Sequence, residues 1–372
     1  MALALEPAKA RLLRTVAKAQ VGFWCATRDA PGNRLYVGGT DFNIHVYDLP
    51  AVQPAKGGPL KGHGSYVTAL VCLPGTQTLV SGSFDKQLLW WQPAGRLAPV
   101  RRVASSGRVN QLATSPDGLL IAATMQDLAR VWDAKTGKPL ADLKGGHPAT
   151  TRIGRRNPRY GVAFSPDGER VVTGDRGGTI CLWEAATGKL LHRSEASAFY
   201  SQAFYRDTQS SEYEWGGVRA LEFAPDGKVL VAGGMGPADQ NSAGIDGPMR
   251  LEAFDSATGK SIAAFMNAPK GMLNTIVFHP GSDWVIAAGG GGQAGSAGIG
   301  SLWLWNHRRR GKGRKPASPV MHKSDIVIRQ VVLCPDGANV LAVGMLRDLT
   351  AGRIEVWDLT GQAAPPKSAT VK

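Results

Sequence analysis

Short apolar runs rich in Val, Leu, Ile, Ala and Phe recur along the whole chain, each closed by Gly, Pro, Asp or Ser. Val162-Ala163-Phe164 and Arg170-Val171-Val172-Thr173 are typical. Runs this short, bounded by turn residues and rich in β-branched side chains, predict strands rather than helices. The boundaries repeat. Between apolar runs stand Ala30-Pro31-Gly32, Leu73-Pro74-Gly75, Ser115-Pro116-Asp117-Gly118, Ser165-Pro166-Asp167-Gly168, Ala224-Pro225-Asp226-Gly227, His279-Pro280-Gly281 and Cys334-Pro335-Asp336-Gly337, with proline spacings of 43, 42, 50, 59, 55 and 55. Proline presets φ for the second position of a turn and glycine accepts positive φ, so each copy joins two antiparallel strands.

A second mark keeps register with the first. An aromatic residue closes a later apolar run, usually before an acid or amide: Tyr47-Asp48, Trp91-Gln92, Trp132-Asp133, Trp183-Glu184, Phe254-Asp255, Trp305-Asn306 and Trp357-Asp358. Thr-Gly-Lys turns at Thr136, Thr187 and Thr258 then open a further strand. Four strands per unit in seven units, with no helix between them, predict an all-β, seven-bladed β-propeller of four-stranded antiparallel blades. The units resemble the WD40 repeat family, in its bacterial style, over nearly the whole chain. The fullest unit carries Gly62-His63, Ser81 to Asp85 and Trp91. By that resemblance His63, Ser81, Asp85 and Trp91 form the structural tetrad of the family. The fourth unit keeps His147, Thr173 and Trp183 but has Gly177 where the aspartate is expected, and the first and third keep Asp41 and Asp127 without the histidine.

The last unit ends after its third strand, at Arg353 to Leu359. Residues 10–18, with the run Leu12-Leu13-Arg14-Thr15-Val16, are expected to supply the missing fourth strand and so remove two open edges. The expected organisation is one propeller over residues 1–361 and a flexible Pro/Ala/Lys-rich tail over 362–372. Glycine is 47 of 372 residues, about twice the usual share, as many tight turns require. Cys25, Cys72, Cys181 and Cys334 are scattered in strand-like runs without a CxxC pair, which argues against a zinc site and for a reduced, cytoplasmic setting. No apolar run reaches the length of a membrane-spanning helix.

The net charge of +14 is confined to three segments, residues 1–20, 142–160 and 301–323. The second holds Arg152, Arg155, Arg156 and Arg159, and the third holds Arg308, Arg309, Arg310, Lys312, Arg314 and Lys315. Such loops attract nucleic acid or ribonucleoprotein, or serve only solubility. The long insertions fall mainly in loops of one face, the top, over blades 4 to 7. The insertion 198–216 brings Phe199, Tyr200, Phe204, Tyr205, Tyr213 and Trp215, which is either a binding hot spot or a small satellite core holding the loop down.

Counting back eight and six positions from each turn proline gives Tyr66, Thr68, Arg108, Asn110, Tyr160, Arg219, Met272, Asn274 and Arg329. In the family, side chains there reach the top face near the central opening. Arginines and tyrosines on one rim suit an acidic or phosphorylated peptide. No GxSxG elbow, spaced carboxylate pair or His-rich metal motif appears, and no cofactor is expected. The expectation is a non-catalytic protein- or peptide-binding scaffold using the top face, with nucleic-acid binding through residues 152–159 and 308–315 as the alternative.

Overall fold

A computed structural model describes residues 5–152, 154–204, 212–237, 247–291, 300–311, 315–346 and 351–362. Seven antiparallel sheets stand in a ring. The innermost strands are Phe23–Arg28, Val67–Cys72, Val109–Thr114, Arg159–Phe164, Val218–Phe223, Met272–Phe278 and Val327–Leu333, in blades 1 to 7. Each sheet runs outward in chain order to a fourth strand; in blade 1 that strand is split into Gln53–Pro54 and Leu60–Lys61. The fourth strand of blade 7 is the N-terminal Arg11–Ala19, which pairs with Ala351–Asp358 from Arg11↔Asp358 to Ala19↔Ala351. The expected closure is therefore present, one residue further along than read. No helix among the described residues is long and apolar enough to cross a membrane.

The prolines act as the spacing required. In the turn after the innermost strand of blade 3, Gly118 has a φ of 72° and the Asp117 carboxylate accepts the Leu119 N–H at 3.0 Å. The glycine excess has a second cause beyond turns. Gly82, in the second strand of blade 2, faces blade 3, and a Cβ there would lie 2.4 Å from Val109 Cγ1. Gly174 stands likewise against Val218, at 2.6 Å. Blades approach closely only because these positions carry no side chain.

The core is divided among the blade contacts. Seven clusters of buried side chains lie between neighbouring blades, including one between blades 7 and 1. Trp90 and Trp132 fill the contact of blades 2 and 3, and Trp303 and Trp305 that of blades 5 and 6. Each large ring removes enough apolar surface from water to contribute several kcal/mol.

The tetrad of blade 2 is complete. The Trp91 indole N–H donates to Ser81 Oγ at 2.8 Å, Ser81 Oγ meets His63 Nε2 at 2.7 Å, and His63 Nδ1 meets Asp85 at 2.8 Å. With the carboxylate as acceptor, His63 carries its proton on Nδ1 and accepts the serine hydroxyl through Nε2. Blade 4 corrects the sequence reading. Asp175, two residues before Gly177, contacts His147 Nδ1 at 2.8 Å, while Thr173 takes the serine role toward His147 and Trp183. Asn157 reinforces the set by donating to Asp175 at 2.8 Å and accepting the Gly177 N–H at 2.9 Å. In blade 1 the partner of Asp41 is His45, from the third strand, at 3.1 Å.

Candidate functional site at the channel mouth

Every innermost strand carries one irregularity near its start. The ladder shifts register between Phe23 and Cys25, Val67 and Ala69, Val109 and Gln111, Arg159 and Val162, Val218 and Ala220, Leu273 and Thr275, and Ile328 and Gln330. These are β-bulges, which re-aim a side chain by breaking the alternation of faces. The bulged residues are Trp24, Thr68, Asn110, Tyr160, Arg219, Asn274 and Arg329. All seven line one cavity of about 200 Å³ where the central channel meets the top face, joined by Phe84, Gln111 and Gln330.

Most polar groups of this mouth are already spent on joining blades. Thr68 Oγ1 donates to the Val109 carbonyl at 2.6 Å, Asn110 Nδ2 to that of Arg159 at 2.7 Å, and Asn274 Nδ2 to that of Ile328 at 2.9 Å. Gln111 accepts the Val162 N–H at 2.9 Å, and Gln330 donates to Thr275 at 3.2 Å.

Arg219 and Arg329 differ. The Arg219 guanidinium carbon lies 3.6 Å from the centre of the Tyr160 ring, and that of Arg329 lies 4.6 Å from the Trp24 ring. Stacking holds a guanidinium by its face and leaves its in-plane N–H groups to bind something else. The Nε of each is buried without an acceptor among the described residues. Burial lowers the pKa of both; that of Arg329 falls to about 10, with the nearby Arg219 charge adding to the shift. Among the described residues, no carboxylate lines the mouth. Two desolvated cations with no counter-charge among those residues form a place where an anion is stabilised.

Below the mouth, sharing Thr68, Gln111 and Gln330 with it, the channel widens to about 780 Å³ and opens beside the proline turns. Its charged lining residues are Arg28, which donates to the carbonyls of Leu333, Asp29 and Ala30, and Glu222. Burial pushes Glu222 up to about 8.

The structure thus gathers Asn110, Tyr160, Arg219, Asn274 and Arg329 of the sequence-read rim into one mouth. Tyr66 and Arg108 stand just outside it, Arg108 lying over the Phe84 ring at 5.5 Å. Met272 is buried. The reading missed Trp24, because the first turn, Asp29-Ala30-Pro31, is one residue longer and the count back from Pro31 lands on Cys25. It missed Phe84, which belongs to a loop between second and third strands, and Glu222, which lies inside a repeat rather than in an insertion.

The other candidates are dispersed. Phe199 is fully buried and Tyr200 nearly so, with Arg152 over the Tyr200 ring at 5.2 Å, so these two belong to the satellite core and not to an exposed anchor. Tyr205 lies outside the described residues, and Trp215 is placed only as part of the strand Glu212–Gly216. Arg159 is buried and donates to the Asn157 carbonyl at 2.6 Å. Arg155 and Arg156 are exposed, Arg156 standing 3.7 Å from Asp127. In the basic loop of blade 6, Arg308 bridges Asp226 at 2.8 Å and Asp283 at 3.1 Å; Arg309, Arg310 and Lys315 are exposed, and Lys312 and Arg314 lie outside the described residues.

Comparison with known proteins agrees with this architecture. The family model described as WD domain, G-beta repeat matches residues 56–92 and 138–184, the two stretches that hold Trp91 and Trp183 of the complete tetrads. The chain is 26% identical over 284 residues to the periodic tryptophan protein 2 homolog of Neurospora crassa, covering 72% of this chain and 30% of that protein. It is 28% identical over 176 residues to human apoptotic protease-activating factor 1, covering 47% of this chain and 13% of that one. Against the guanine nucleotide-binding protein subunit beta of Zea mays, identity is 23% over 222 residues, covering 54% and 52%. The chain therefore spans less than a third of the first two of these relatives and about half of the third. With its seven four-stranded blades and two matched repeats, the chain is a seven-bladed propeller that carries WD40 repeats.

Proposed function

We infer that this propeller is a non-catalytic interaction scaffold that captures a protein partner on its top face, receiving an acidic or phosphorylated side chain between Arg219 and Arg329. One observation carries the reading. Two guanidiniums share the mouth, and among the described residues their Nε groups have no acceptor and no lining residue supplies a negative charge. An incoming carboxylate or phosphoryl group relieves both their mutual repulsion and their desolvation, and planar guanidinium donors suit such a group in two-point contact. One relative is by name a subunit of a larger assembly, which agrees with a role in interaction.

The test is direct binding of fluorescein-labelled acidic and phosphoserine peptides, followed by anisotropy. Arg219→Gln with Arg329→Gln is expected to weaken binding by at least tenfold, the scale of one charge-assisted contact. Peptide affinity unchanged in the double variant refutes the reading.

A further inference from the structure

Over blades 1 and 2, beside the mouth, lies a patch of aromatic rings that the fold does not require. Phe42 ends the turn before the third strand of blade 1 with a φ of 70°. The corresponding residues of blades 2 and 4 are Lys86, at 65°, and Gly178, at 84°. That position asks for tolerance of positive φ, which glycine meets at no steric cost and a bulky ring does not. Phe42 also gains little from burial, being 40% exposed. Its ring lies 5.8 Å from Tyr66, itself 39% exposed. Tyr66 in turn stacks on Trp24 at 6.2 Å, with 29° between the planes, and leans on Phe84 at 6.2 Å. The four rings make a shelf. It runs into the cationic mouth, because Trp24 carries Arg329 and Phe84 carries Arg108.

We propose that this shelf receives a large apolar side chain of an extended acidic peptide whose carboxylate or phosphoryl group sits in the mouth, the two side chains standing no more than about three residues apart. The proposal rests on the reading of the mouth as an acid-binding site. The spacing comes from the structure: the steps from Arg329 to Trp24, 4.6 Å, and from Trp24 to Tyr66, 6.2 Å, place the middle of the shelf within about 11 Å of the guanidinium. An extended chain advances about 3.3 Å per residue, so three residues cover that distance. The charge selects the occupant. Cations border the shelf and a cavity of about 200 Å³ accepts one acidic group, whereas a single-stranded nucleic acid needs a groove of cations following its backbone.

The experiment uses the full chain and labelled peptides that carry one phosphoserine, with leucine either within three residues of it or replaced by serine. A matched pair has glutamate in place of phosphoserine and separates phosphoryl from carboxylate recognition. An oligothymidylate is the nucleic-acid arm. The leucine peptides are expected to bind about tenfold more tightly than the serine peptides, the upper scale of an aromatic contact. Phe42→Gly should reduce that advantage to twofold or less and leave the serine peptides unaffected, with an unchanged or higher melting temperature showing that the fold is retained. Equal affinity for leucine and serine peptides overturns the proposal, as does a Phe42→Gly loss that is the same for both. Tighter binding of the oligothymidylate than of any peptide overturns it too. Failure of the underlying reading looks different: the double arginine variant then binds every peptide as well as the wild type does.

Discussion

Glu222 gives the sharpest handle on the channel. Its half-buried carboxyl lines the channel, whose other charged lining residue among the described ones, Arg28, is bound to backbone carbonyls; Arg219 stands three residues away on the same strand. Burial raises its pKa from 4.5 to about 8, so the folded protein holds this proton while the unfolded chain has lost it. Between those values the folded state binds more protons than the unfolded state, and stability falls as pH rises. Below 4.5 the contribution is fully present, and above 8 it has gone. The ceiling is about 1.4 kcal/mol for each pH unit of that window. Water in the channel screens the charge, so the loss expected is a few kcal/mol in all. Glu222→Gln keeps the shape and removes the ionisation. Urea unfolding followed by tryptophan fluorescence, from pH 5 to pH 9, should show the two proteins alike at the acid end and the variant more stable by about 2–4 kcal/mol at the alkaline end, at unchanged m. The aspartates held below their ordinary range, such as Asp41 and Asp85, titrate in more acidic solution and cancel in the difference between the two curves. Parallel curves over the whole range would refute the desolvation of the Glu222 carboxyl in the channel.

Four further outcomes follow from named contacts. Ser81→Ala orphans the Trp91 indole N–H and His63 Nε2 together and should cost about 2–4 kcal/mol in chemical unfolding. Asp175→Ala, which strips His147, Asn157 and the Thr179 N–H of one acceptor residue, should cost about 3 kcal/mol, whereas Asp127→Ala, at an exposed carboxylate, should change stability by less than about 0.5 kcal/mol. Val16→Pro breaks the ladder between the N-terminal strand and Ile354 and should lower the melting temperature by several degrees while broadening the transition. Cys25 and Cys181 are buried thiols whose pKa burial pushes up, and they should react with a thiol reagent only after denaturant is added.

The blade count, the closing strand and most of the mouth were legible in the sequence because each rests on local chemistry. A Pro-Gly turn and a strand-closing Trp are dictated by a few neighbouring residues, so their spacing carries the register of each blade. What escaped depends on contacts between segments far apart. Asp175 partners His147 in place of the aspartate expected at position 177, and Asn157, from the loop entering the blade, accepts the Gly177 N–H and donates to Asp175. The composition of 198–216 leaves Tyr200 open between binding anchor and satellite core, and its burial beneath Arg152 favours the second, which only the packing of distant segments decides. Phe42 and Phe84 sit in short loops outside the long insertions of blades 4 to 7, and only the ring geometry unites them with Tyr66 and Trp24.

The bulges explain how one short strand serves both stability and recognition. In a regular strand adjacent residues face opposite sides, so a residue next to a channel-facing position would point into a blade. A bulge lets two successive residues reach the channel, and blade 7 uses both: Gln330 bonds Thr275 of blade 6 and fixes the blade contact, while Arg329 is lifted into the mouth with its Nε unspent. Blade 3 does the same with Asn110 and Gln111, both committed to blade 4. In blade 7 the joint to blade 6 therefore rests on Gln330 and leaves the bulged position before it to Arg329, whereas Thr68, Asn110 and Asn274 spend their own bulged positions on joints. The bulges bring seven side chains to the mouth, and two of those positions hold arginine seated on the aromatic rings of two others.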